Sequence, residues 1–85
     1  MDTQPIASHK RIGFTLTVYP NRIEIEERGL AGLWKKASVL LRNVTSIDMP
    51  RTKAHIVVKT NDGKTHKWIC GRDTEAIYQA IMASL

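Results

Sequence analysis

Sulfur and imidazole are the side-chain groups best suited to nucleophilic or metal chemistry, and this chain carries one cysteine, Cys70, and three histidines, His9, His55 and His66. Counting back from the Asp62-Gly63 turn pairs Thr60 with Thr65, Lys59 with His66, Val57 with Trp68 and His55 with Cys70. An imidazole facing a thiol is the start of an activated nucleophile, because a neighbouring base or cation favours the thiolate. No third residue is spaced to orient the imidazole, and an isolated cysteine in a strand is ordinarily a small buried hydrophobe. Cys70 is therefore expected to be inert. For a metal, there is neither a paired-cysteine nor a closely spaced histidine motif. His66 and Cys70 stand roughly 13 Å apart at the usual strand rise, whereas a shared ion sits about 2 Å from each donor. The carboxylates Glu24, Glu26 and Glu27 suggest acid-base pairs, but Glu24 and Glu26 fall on the polar face of an alternating strand. Gly29 and Gly32 form no phosphate-binding pattern. No catalytic, cofactor-binding or metal-binding residue is assigned, and the chain is expected to act by binding rather than catalysis.

The elements that position these groups are mainly strands. Ile12, Phe14, Leu16 and Val18 alternate with Gly13, Thr15, Thr17 and Tyr19, the period of a half-buried strand. Pro20-Asn21 then turns the chain into Arg22 to Arg28, and a two-residue loop places Val18 opposite Ile23 and Leu16 opposite Ile25, although proline at the turn allows a slip by one. Residues 29 to 36 read as a connecting loop, Ser38 to Arg42 and Val44 to Met49 as short strands, and Ala54 to Thr60 with Thr65 to Cys70 as a hairpin about the Asp-Gly pair. After Gly71, Asp73 caps a terminal helix with Ile77, Ala80, Ile81 and Ser84 along one stripe, widened by Tyr78, Met82 and Leu85. Met1 to Arg11 shows no period and reads as a flexible arm or an irregular lead-in strand. The expected core is Phe14, Leu16, Val18, Ile23, Ile25, Val44, Ile47, Ile77 and Ile81.

With 85 residues, 42% hydrophobic and 25% charged, the chain supports one core. A domain this small buries only about 60% of its unfolded surface, so partners or self-association are natural stabilisers. The single cysteine excludes an internal disulfide and fits a reducing compartment, so a cytoplasmic location is expected. No run approaches the ~18 apolar residues of a membrane span, and no leader-like apolar segment opens the sequence. The net charge of +5 favours acidic partners: nucleic acid, anionic lipid or an acidic protein face.

Thr17-x-x-x-x-Arg22-Ile23, a loop, Val44-x-x-Ile47, an Asp-Gly hairpin and a C-terminal helix together resemble the bacterial pleckstrin-homology-like (PH-like) domains. The similarity runs from Ile12 to the end, giving an arm over 1–11 and a single domain over 12–85. The resemblance implies a mostly β fold of six or seven strands, a bent antiparallel sandwich or partly open barrel capped by the helix, and self-assembling relatives. The phosphoinositide motif of eukaryotic relatives is not met. Lys10, Arg11 and Arg22 are the basic residues near the Pro20-Asn21 loop, and Glu24 stands where another would help.

Two features remain as candidate contacts. Leu30, Leu33 and Trp34, followed by Lys35 and Lys36, form either a contact tip or a loop folded back on the core. In the Asp-Gly hairpin, Ile56, Val58 and Ile69 occupy one face while Val57, Trp68 and Cys70, with His55, occupy the other; one set needs cover from the helix or another subunit. These observations predict a non-catalytic interaction module that self-assembles or binds protein through Val57, Trp68, Cys70 and His55. The alternative is a peripheral module on anionic membrane, located at the inner membrane face, with Leu30, Leu33 and Trp34 inserted. A nucleic-acid-binding barrel is the least favoured binding class, because the basic residues are scattered and lack neighbouring aromatics.

Overall fold

The computed structural model describes residues 4–29 and 32–85. Seven strands and one long helix follow in order: β1 (Ala7–Arg11), β2 (Phe14–Val18), β3 (Arg22–Arg28), β4 (Trp34–Leu40), β5 (Val44–Asp48), β6 (Ile56–Thr60), β7 (Thr65–Trp68) and α1 (Thr74–Ser84). Single 3-10 turns at Leu41–Asn43 and Gly71–Asp73 lead into β5 and α1. The strands form two antiparallel meanders, β1-β2-β3-β4 and β5-β6-β7, which are not closed into a barrel. The fold is a mostly β sandwich capped by a C-terminal helix.

Alternation explains the core. Phe14, Leu16 and Val18 of β2 and Ile23 and Ile25 of β3 point inward against Ile56, Val58 and Trp68 of the second sheet. Ile77 and Ile81 from α1 complete the cluster. Each fully buried aliphatic side chain contributes about 1.5–3 kcal/mol. The β2–β3 register is the expected one, with Val18 opposite Ile23 and Leu16 opposite Ile25. Tyr19 and Arg22 close the turn, the Tyr19 N–H donating to the Arg22 carbonyl at 2.8 Å.

Several expectations need correction. Residues 7–11, read as part of a flexible arm or an irregular lead-in strand, form a regular strand paired with β2 from Ala7 opposite Val18 to Arg11 opposite Phe14. Ala7, His9 and Arg11 share one of its faces and include two polar side chains, so the alternation carries no hydrophobic signal. Ile12 does not continue β2 inward. The chain reverses at Ile12-Gly13, where Gly13 takes a φ of +80°, and Ile12 is 97% exposed. The last three residues of the expected 29–36 loop are strand, since β4 begins at Trp34 and pairs along β3. Val44 and Ile47 pack against the core but are only half-buried.

The largest revision is the β6–β7 register. Ile56 faces Trp68, Val57 faces Lys67, Val58 faces His66 and Lys59 faces Thr65. The turn uses three residues rather than four, because the Thr60 N–H donates to the Lys64 carbonyl at 3.0 Å and Gly63 adopts a left-handed φ of +85°. Asp62 fixes that turn by accepting from the Thr60 hydroxyl and from the Lys64 N–H. These bonds hold the Asp62 carboxyl below its ordinary pKa, the Thr60 hydrogen bond being the main cause. A one-residue slip in a sheet sends every side chain to the opposite face, and here it turns Trp68 inward.

Candidate functional site

Chemistry-bearing side chains do converge, though not as the sequence suggested. His9 on β1 places Nδ1 2.9 Å from Asp73 Oδ2, and Arg11 Nη1 lies 3.4 Å from His9 Nε2. Arginine only donates and a carboxylate only accepts, so the imidazole tautomer with its proton on Nδ1 satisfies both partners. The Arg11 guanidinium also stands 4.3 Å from the Phe14 ring centroid and donates to the Ile69 carbonyl. Asp73 sits at the N-cap position but makes no cap bond, having turned its carboxylate to His9. This network ties the edge strand β1 to the start of α1.

Cys70 lies fully buried beside it. Burial pushes the thiol pKa up to about 11, with Asp73 adding to the rise and Arg11 opposing it. A cysteine, a histidine and an aspartate therefore gather in one region while the sulfur stays a protonated thiol at neutral pH, the reverse of what a nucleophile needs. Among the described residues, no group of three or more His, Cys, Asp or Glu side chains is placed to hold a metal ion. A hollow of about 630 Å3 beside Pro20, Leu40, Leu41 and Leu85 is lined by Arg42 and by no acid-base pair of side chains.

The expected contact face of His55, Val57, Trp68 and Cys70 is not one surface. Trp68, only 7% exposed, and Cys70 belong to the core, whereas His55 and Val57 are half-buried and Val57 stands opposite Lys67 on the outer side. The shifted register also takes His55 out of opposition to Cys70.

The Leu33 to Lys36 segment is exposed at one end of the four-stranded sheet. Leu33 is 70% and Trp34 53% exposed, and Lys35 and Lys36 follow on the exposed half of β4; Leu30 lies outside the described residues. The Arg28 N–H donates to the Gly13 carbonyl at 2.9 Å, which sets the Ile12-Gly13 turn beside the β3–β4 end. Ile12 thus stands exposed at the same end of the sheet as Leu33 and Trp34, with β3 between them. Sequence reasoning missed Ile12 by counting it into β2; Gly13, a turn former between two alternating runs, was the available signal. Lys10, Arg28, Lys35 and Lys36 are all exposed on the strands that lead to this end. Lys35 stands opposite Glu27 and Lys36 opposite Glu26, yet the ion pairs among the described residues are His9–Asp73, Arg22–Glu24 and Lys53–Glu75. Each lysine thus has a carboxylate as its cross-strand neighbour without a closed ion pair.

No helix among the described residues is long and apolar enough to cross a membrane. Comparison with protein-family models, curated proteins and solved structures gives no match.

Proposed function

We propose that this chain is a non-catalytic, PH-like module that docks on anionic membrane through the Ile12, Leu33 and Trp34 tip. The four-stranded meander, three-stranded meander and terminal helix support the PH-like reading. The observation that carries the membrane reading is the exposure of three large apolar side chains, Ile12, Leu33 and Trp34, at one end of the four-stranded sheet, with exposed Lys10, Arg28, Lys35 and Lys36 on the strands that lead to it. Transferring a large apolar side chain from water contributes about 1.5–3 kcal/mol, and each Lys or Arg near an anionic surface adds about 1 kcal/mol. Tryptophan suits the interface because its ring buries while its N–H stays wet. The inward turn of Trp68 moves the weight of the reading from the hairpin face to this tip.

The test is co-sedimentation with phosphatidylcholine vesicles, with and without phosphatidylserine. The protein is expected to pellet with the anionic vesicles, less as salt rises, and the Ile12→Ser/Leu33→Ser double variant to stay in the supernatant with an unchanged thermal melt. Wild-type protein that remains in the supernatant with both vesicle types overturns the proposal.

A further inference from the structure

The edge strand β4 carries a second surface. Among the described residues its only strand neighbour is β3, and Trp34 to Ser38 are exposed on both faces. The Gly29 N–H donates to the Leu33 carbonyl and the Leu41 N–H to the Asn21 carbonyl, which fixes the odd-numbered residues as those bonded to β3. Antiparallel pairing alternates residues that bond one neighbour with residues that bond the other. Trp34, Lys36, Ser38 and Leu40 therefore aim their backbone N–H and C=O groups away from β3, the Ser38 and Leu40 end across a hollow also lined by Thr60, Asp62, Lys64 and His66.

We propose that a second copy of this chain pairs antiparallel with that edge about a two-fold axis at Ala37, joining two four-stranded sheets into one. A two-fold axis normal to the sheet requires paired residues to share a face, so each candidate register centres on one residue. Centred on Ala37, the midpoint of β4, the pairs are Trp34 with the partner's Leu40, Lys35 with the partner's Val39, and Lys36 with the partner's Ser38. Centred on Lys36, the two lysines oppose each other directly, which is destabilising. Centred on Ser38, the paired length shortens. Edge lysines commonly guard a sheet against pairing; here they select one register.

Charge favours the same arrangement. Across the outer face, Lys36 has Glu26 beside it in its own sheet. On its other side it meets the partner's small Ser38, with the partner's Glu24 one strand beyond, since Ser38 pairs with Glu24. The row above stacks Trp34 on the partner's Leu40. The two-fold axis points the Ile12 and Leu33 ends of the two copies in opposite directions.

The test needs no lipid. Light scattering on the eluting protein is expected to give a mass rising from the 9.6 kDa of one chain towards twice that value with concentration. Ser38→Pro removes only an N–H that faces the free edge, a position where strands tolerate proline, and is expected to stay monomeric with an unchanged melt. Ala37→Cys should give a disulfide-linked dimer on mild oxidation, because directly opposed residues of a non-hydrogen-bonded pair lie within bridging distance. Lys36→Cys and Ser38→Cys should not. A wild type that remains monomeric, a dimer that Ser38→Pro leaves intact, or bridging at position 36 or 38 in place of 37 overturns the proposal. If Ser38→Pro fails to fold, the cysteine series decides alone. Ile12→Ser/Leu33→Ser should dimerise like the wild type, so failure of the membrane reading and failure of the edge pairing are read separately.

Discussion

The chain has two tryptophans, and they mark two regions built on opposite terms. Trp68 is 7% exposed, facing Ile56 within the core, while Trp34 is 53% exposed at the far end of β4 beside Leu33. Both sit in β-rich segments with lysine next to them, and sequence composition treats them alike. The difference comes from backbone geometry: a three-residue turn at Asn61, Asp62 and Gly63 rotates Trp68 inward, whereas β3 and β4 run on past the core and leave Trp34 outside it. The lesson is that an apolar side chain becomes a contact candidate only after register is known.

Truncation should separate the two most sharply. Trp68→Ala is expected to cost about 3–5 kcal/mol, the range for deleting a buried aromatic, measured by urea denaturation. A loss below about 1 kcal/mol would return Trp68 to the surface and restore the hairpin face as a contact.

The next largest effect is expected at Cys70, the neighbour of Trp68 in the buried region. Cys70→Ser places a hydroxyl in a fully buried site and should cost about 1–3 kcal/mol. The thiol itself predicts a pH dependence. Its folded pKa is raised from 9.0 to about 11, so the stability it contributes is full below pH 9 and is lost as pH rises towards 11, because the unfolded thiol ionises first. Native protein should resist alkylation at neutral pH, and rapid labelling there would contradict the buried assignment.

How much of this was legible follows from the same contrast. The β2–β3 register could be read because Leu16, Val18, Ile23 and Ile25 are all aliphatic and a two-residue loop allows one pairing that puts them together. The terminal helix was readable from Ile77 and Ile81. Strand β1 was not, since the buried His9 and the exposed Arg11 are polar residues whose partners, Asp73, Phe14 and the Ile69 carbonyl, lie far along the chain or across the sheet. The tip was half legible: Leu33 and Trp34 stood out by composition, but Ile12 became part of it only through the hydrogen bond from Arg28 to Gly13.

The turn that creates the contrast gives a smaller, sharper test. Gly63 has a φ of +85° and nothing within 4 Å of where a Cβ would lie, so Gly63→Ala meets no clash and costs only the left-handed backbone, about 1–2 kcal/mol. Gly63→Asn should cost less, because asparagine tolerates that conformation. Equal stability of wild type and Gly63→Ala would mean that the turn is not left-handed, and with it the register that buries Trp68 would fall.

The smallest effect is expected at the other tryptophan. Trp34→Ala removes a large side chain from a position where half of it already touches water, so domain stability should change by no more than about 0.5 kcal/mol. Its effects should appear elsewhere: weaker pelleting with anionic vesicles, and a dimer that forms at higher concentration because the partner's Leu40 loses its cover. Trp34→Phe keeps the apolar area and should retain most of both activities, which separates burial of the ring from its N–H. If Trp34→Ala lowered the melting temperature as far as Trp68→Ala, the β3–β4 end would be part of the folded core rather than a projection from it, and neither the lipid tip nor the free edge would be available to a partner.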